Sequence, residues 1–176
     1  TQIVVLSLSA TESSPLMWAQ YADEHRGFVV GFDTKDSFFK SKDGELGRPM
    51  RVQYSTERPT WTWASLEENN RFLTKSVDFM YEQEWRVLRR SRDSIGPLPQ
   101  GKRTESNESP VSDIRAQQHR FRFEPGAVSK VILGARMPFD AQRDLIRLIR
   151  ADSRLASVSI LCASPDDPEN NMNIRP

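Results

Sequence analysis

The chain reads as an α+β domain with a mixed, largely antiparallel sheet flanked by helices. Three observations predict this. Short β-branched runs follow one another too closely for every strand to be parallel, because a parallel crossover needs a dozen or more residues. Two segments, starting near Ser14 and Pro138, carry apolar residues at three- and four-residue spacing. The last strand–helix–strand passage, Val128 to Cys162, has the length of one parallel crossover.

The elements follow in order. Residues 2–9 alternate β-branched and serine residues, as a strand does. Ser14 is a good N-cap and Pro15 suits the first helical position, so a helix starts there. Its expected apolar stripe is Leu16, Met17, Ala19 and Tyr21, and it is expected to end at Gly27, after the cationic His25 and Arg26. Phe28–Phe32 is a short buried strand, and Asp33 or Thr34 caps a brief helix through Phe38 and Phe39. Residues 41–48 form a polar loop, Met50–Tyr54 a strand, residues 63–76 a helix and Glu84–Arg89 a strand. Residues 91–118 hold three prolines, two glycines and many charges, the composition of an exposed loop or insertion. His119–Phe123 and Val128–Leu133 read as strands. Pro138–Ala151 reads as a helix with Ala141, Leu145, Leu148 and Ile149 inward, and Val158–Cys162 as the last strand.

The 176 residues suit one domain over residues 1–165, followed by a flexible tail at 166–176. A net charge of +1 singles out neither nucleic acid nor membrane as a partner. No apolar run approaches the roughly 20 residues of a membrane span, and no signal peptide is visible. With one cysteine, Cys162, there is no internal disulfide; a cytoplasmic setting and a buried thiol are expected. The chain opens at Thr1 directly into Ile3-Val4-Val5-Leu6, so an amino-terminal segment is expected to be missing from it.

Three groups of residues could carry chemistry. The run Tyr81-Glu82-Gln83-Glu84-Trp85-Arg86 is the densest. Glu84 and Arg86, two apart on a strand, share a face. Buried charges there must be paired or used. Glu82 or Glu84 could act as a general base or hold a ligand hydroxyl. Arg86 could hold Glu84 or clamp an anion, and Lys75 could join them. Equally, Glu84, Arg86 and Lys75 could form a salt bridge that merely fixes the strand. Aromatics packed around such an acid would raise its pKa. Trp18, Tyr21 and His25 fall on one helix face, either as a wall that stacks a ring or as core. His25 could be a base or polarising donor. Arg143, Arg147, Arg150 and Arg154 line the outer face of the last helix, and Arg89, Arg90 and Arg92 make a second basic group; either could be a solvated face. No metal-ligand spacing, phosphate loop or nucleophile elbow is present.

Two long stretches carry a family resemblance. Leu16-Met17-Trp18-Ala19-Gln20-Tyr21-Ala22-Asp23-Glu24-His25-Arg26-Gly27-Phe28 is followed by Gly31-Phe32-Asp33. Farther on come Val52-Gln53-Tyr54, Lys75, Tyr81 to Arg86 and Val131-Ile132-Leu133-Gly134. In this order, over residues 3–163, the chain resembles the family catalogued as domain of unknown function 2971. Members usually carry an aromatic-rich amino-terminal strand and an Asn-Asp-Pro turn that this sequence does not show. The resemblance implies a bacterial or phage cytoplasmic protein in a defence or toxin-like context.

Two functional readings stand beside a third, in which both clusters are structural and the basic face of the last helix docks another protein or nucleic acid. In one, the chain is an ADP-ribosyltransferase-like enzyme using NAD: Glu84 and His25 are catalytic, and Trp18, Tyr21, Tyr54, Lys75, Tyr81, Glu82 and Arg86 bind substrate. The order His25, Tyr54, Glu84 parallels the His, Tyr, Glu order of such enzymes. In the other, the same residues form the pocket of a non-catalytic ligand-binding or sensor domain, with loop 91–118 meeting a protein partner. No metal is expected in either.

Overall fold

The computed structural model describes residues 2–40, 46–57, 72–95, 119–165 and 171–176. In chain order its regular elements are β1 (Ile3–Ser9), α1 (Pro15–Tyr21), β2 (Phe28–Phe32), β3 (Pro49–Arg51), β4 (Gln53–Ser55), β5 (Thr74–Ser76), β6 (Glu84–Arg90), β7 (Val128–Leu133), α2 (Phe139–Ala151), β8 (Ser159–Ser164) and β9 (Asn173–Arg175). The α+β class is as expected, but the described strands divide among separate sheets rather than joining in one. β6 is the middle of the antiparallel sheet β1-β6-β3, with Ser9 opposite Glu84 and Met50 opposite Arg86. The mixed sheet β2-β7-β8-β9 contains the expected crossover: β7 and β8 run parallel, with Lys130 opposite Ser159. β4 and β5 form a parallel pair.

The mixed sheet is covered on both faces. Trp18 and Ala22 pack with Ile132, Ala163 and Met172 on one face, and Ile149 packs with Val131, Leu133 and Val158 on the other. Neighbouring residues of β7 point to opposite faces, so the buried apolar run Val131, Ile132 and Leu133 is what a strand covered on both sides requires. The ion cluster described below sits at the start of β6, beside α1.

Several elements differ from expectation for identifiable reasons. Helix α1 starts as predicted, with Ser14 accepting from the Met17 N–H and Pro15 in the first turn. It ends at Tyr21 instead of Gly27, because Asp23, Glu24 and His25 take left-handed conformations (φ 47°, 50° and 67°). Each such residue costs roughly 1–2 kcal/mol. Hydrogen bonds from Gly134 N–H to the Gly27 carbonyl and from Arg136 N–H to the His25 carbonyl hold the turn. The buried residue of α1 is Trp18, joined by Ala22 just beyond the helix end, whereas Leu16 and Tyr21 are exposed.

The expected strand 50–54 is split at Val52, whose N–H bonds Glu84 in the first sheet while the Gln53 N–H turns to Leu73. The helix expected over 63–76 falls largely outside the described residues; its described end, Thr74–Ser76, is β5. The short helix before residue 40 is a single 3-10 turn, Ser37–Phe39, capped by Asp36. Residues 119–123 form only one bridge, at His119. Of loop 91–118, Ser91–Asp93 is a 3-10 turn and residues 96–118 lie outside the described residues. In α2, Ile149 is buried but Ala141 and Leu148 face outward. Cys162 is exposed. Of the expected tail, residues 171–176 are described: Met172 is buried and β9 pairs antiparallel with β8. Among the described residues, no helix is long and apolar enough to cross a membrane.

The left-handed turn wraps tightly around Gly134, where an added Cβ would lie 2.2 Å from the His25 carbonyl oxygen and 2.6 Å from that of Gly27. Both obstacles are backbone and cannot swing aside. Gly134→Ala is expected to lower stability by about 1–3 kcal/mol, read from the urea midpoint. An unchanged midpoint would contradict the packing described here.

Candidate functional site: a buried ion lattice

The site begins with a sharp change of backbone direction. Ser76 accepts from the Asp78 N–H and starts a 3-10 helix, Val77–Glu82. The next residue, Gln83, is left-handed (φ 45°, ψ 49°), and β6 starts at Glu84. Holding a non-glycine residue there costs about 1–3 kcal/mol. In return, Glu82 at the helix end and Glu84 at the strand start both reach Lys75 on β5. The parallel pairing of β4 with β5 sets Tyr54 directly opposite Lys75, so the Val-x-Tyr stretch and the lysine meet through sheet register.

Glu82 and Glu84 are only 3% and 4% exposed. Two buried carboxylates this close require cations. Arg86 grips Glu84 with both arms of a fork, Nε to Oε1 at 2.9 Å and Nη2 to Oε2 at 3.0 Å. Its remaining arm, Nη1, donates to the Phe72 carbonyl at 2.6 Å. Lys75 Nζ donates to Glu84 Oε2 at 3.0 Å and to Glu82 Oε2. The Tyr21 hydroxyl donates to Glu82 Oε1 at 3.0 Å, and Ser7 adds a hydrogen bond to Glu84. Two negative charges thus meet two positive ones.

The electrostatics follow from these contacts. Burial works to raise the Glu84 pKa, but the bonds from Arg86, Ser7 and Lys75 outweigh it and hold the group down at about 2, against an ordinary 4.5. The sequence-based expectation of a raised acid is therefore reversed: hydrogen bonding overrides desolvation. Burial likewise opposes the charged form of Lys75, yet Glu82 and Glu84 keep its pKa above the usual value. The bond to Glu82, aided by burial, raises that of Tyr21, so its phenol stays a donor.

The structure brings together most of the residues singled out. Tyr54 accepts the Glu84 N–H at 2.8 Å. Tyr81 donates to Gln20 at 3.0 Å, so α1 and the 3-10 helix are joined twice, through Gln20–Tyr81 and Tyr21–Glu82. Trp18 and His25 stand apart from this group. Trp18 is core, donates its indole N–H to the Glu12 carbonyl at 2.7 Å, and stacks on His25 (centroids 6.5 Å, planes 8° apart). His25 has left the helix, and among the described residues it makes no hydrogen bond to the lattice. Its stack on Trp18 is the aromatic stripe realised as packing.

The basic stripe also dissolves into local pairs. Arg143 binds Asp140 at 2.9 Å, Arg147 reaches Asp144 at 3.5 Å, and Arg150 donates to the Val158 carbonyl. Arg154 lies beyond α2, paired with Asp152. Ser7, Gln20 and Gln83 belong to the site but were not predicted. For Ser7 the only signal is register, which places it opposite Arg86. Among the described residues no cluster of His, Cys, Asp and Glu could hold a metal.

Comparison with known proteins adds one finding. The family described as protein of unknown function (DUF2971) matches residues 17–87, and over that range the chain resembles it. The match takes in the first long motif from Met17 onward, Lys75 and Tyr81 to Arg86; Leu16 and the strand at Val131–Gly134 lie outside it. Neither curated proteins nor solved structures give a match.

A carboxylate with a lowered pKa stabilises the fold fully above its ordinary value, and that stability is lost as pH falls through the folded value. For Glu84 the window runs from 4.5 down to about 2, worth about 3 kcal/mol. Glu84→Gln leaves Lys75 and Arg86 short of one counter-charge. It is expected to destabilise the protein at pH 7 by about 3–5 kcal/mol and to flatten the loss of stability below pH 4.5. Chemical denaturation across pH checks both; a variant that loses stability on acidification as steeply as the wild type would refute the assignment.

Proposed function

We propose, taking the resemblance to the DUF2971 family as premise, that the chain is a ligand-binding domain that takes a nucleotide-type ligand beside the ion lattice. The observation that carries this reading is Tyr21. The residue is 65% exposed, yet its hydroxyl is anchored on a buried carboxylate. An aromatic ring fixed at the surface in this way is a pre-organised stacking platform, with little side-chain entropy left to lose on binding. Next to it Lys75 Nζ sits 4.8 Å from the Phe79 ring, itself partly exposed. A base or nicotinamide ring stacked on Tyr21 would bring its ribose and phosphates toward Lys75 and the Glu82 edge.

A catalytic version, ADP-ribosyl transfer from NAD, would need Glu84 to accept a ribose hydroxyl. Glu84 already receives Arg86 twice, Lys75, and Ser7. Such a saturated carboxylate favours the binding reading, with a sensor role in a bacterial or phage defence protein as its setting.

NAD is the probe. Calorimetric titration is expected to show saturable binding without release of free nicotinamide. Tyr21→Ala is expected to weaken binding about tenfold or more, the worth of one stacked ring, and to lower stability by about 1–3 kcal/mol, because the buried Glu82 carboxylate loses the donor that the Tyr21 hydroxyl supplies. Absence of binding, or an unaffected Tyr21→Ala, would overturn the proposal; nicotinamide release by the wild type would replace it with the transferase.

A further inference from the structure

The opposite face of β6 holds a second site that the ion lattice does not use. Side chains alternate along a strand, so Glu84 and Arg86 share one face while Val87 and Arg89 share the other. Arg89 turns inward there. Its guanidinium lies 4.3 Å from the Phe38 ring centroid and 5.7 Å from that of Phe121. Nη2 donates to the Phe38 carbonyl. Nε, however, is buried with no hydrogen-bond partner. Among the described residues no carboxylate forms a salt bridge with Arg89. Burial disfavours its charged form, and the nearby Asp93 only partly opposes that effect.

A second orphan lies in the same place. His119 shares a hydrogen bond between Nδ1 and the Ser94 hydroxyl at 3.1 Å, while its Nε2 is buried without a partner. Both residues line a cavity of about 190 Å³ whose other walls include Phe32, Phe38, Phe121 and Phe123. The rings meet edge to face, Phe32 on Phe123 at 5.4 Å and Phe38 on Phe123 at 5.9 Å, so the walls are apolar and mutually braced. Buried polar atoms in folded proteins are nearly always satisfied. Two unsatisfied ones at a single aromatic-walled cavity, one of them on a cation with no salt bridge among the described residues, define what is lacking: an acceptor that carries negative charge.

We propose that this cavity binds a small aromatic carboxylate, its acid group accepting from Arg89 Nε and His119 Nε2 and its ring packed among the phenylalanines. Size agrees with that class. A cavity of about 150 Å³ accommodates a benzene ring, so 190 Å³ leaves room for a ring with one carboxylate. A carboxylate is preferred over a phosphate ester because a monoanion matches the single guanidinium, and the apolar walls offer nothing to further charged oxygens.

The test uses sodium benzoate and its uncharged analogue benzyl alcohol, each titrated into the whole chain by NMR or calorimetry. Benzoate should bind saturably with a Kd on the order of 0.1–1 mM, and benzyl alcohol about tenfold or more weakly. Arg89→Met and His119→Leu should each weaken benzoate and narrow the gap between the two compounds. The comparison of the two compounds needs no variant, so it stands even where a substitution disturbs folding. No saturable benzoate binding by the wild type, or equal affinity for benzyl alcohol, would overturn the assignment.

Discussion

Two carboxylates buried two residues apart cannot both remain ionised unless two cations reach them, and this constraint organises the chain around β6. Glu82 and Glu84 come from opposite sides of one left-handed residue, Gln83. Lys75 comes from β5, positioned by its parallel pairing with β4. Arg86 comes from β6 itself. Tyr21 brings α1, and Ser7 brings β1. Each segment is short and would be marginal by itself. Joined through charge-assisted hydrogen bonds they define one geometry. Removing any single ion leaves another buried without compensation, which costs several kcal/mol.

The same arrangement separates structural roles from roles at the surface. Glu84 is enclosed and fully engaged, so its task is to fix Arg86, Lys75 and the start of β6. Glu82 is just as buried, yet it reaches outward through Tyr21, whose ring is in solvent. The strained Gln83 matters here. An extended residue at that position would send Glu82 and Glu84 to the same strand face but stretch the chain, pulling Glu82 out of the helix end that sets it against Tyr21. The strain at Gln83 is offset by the Ala10 N–H bonding its carbonyl and by its own N–H bonding Met80.

Much of this was legible in the sequence where one local rule governs. Ser14-Pro15 marks a helix start whatever lies beyond, and the Val128–Leu133 run marks a buried strand. The Glu84–Arg86 pair follows from period two alone. What stayed hidden depends on distant partners. Helix α1 stops at Tyr21 because the following turn is held by Gly134 and Arg136 from the far side of β7. Lys75 reads as the end of a helix until its pairing with β4 is known. Ser7 looks like any surface serine until register sets it opposite Arg86. Arg89 reads as part of a basic patch, whereas it is turned between two phenylalanine rings. The pKa of Glu84 was misread for the same reason: aromatic neighbours are visible in sequence, but the donors that outweigh them come mostly from other strands.

The central claim is that Glu84 is an ion locked in place by its donors. The most direct measurement is a carbon-13 NMR titration of its side-chain carboxyl, assigned by loss of the signal in Glu84→Gln. The account predicts that this carbon keeps its ionised shift as pH is lowered through 4.5 and titrates only at about 2. A midpoint at or above 4.5 would contradict it.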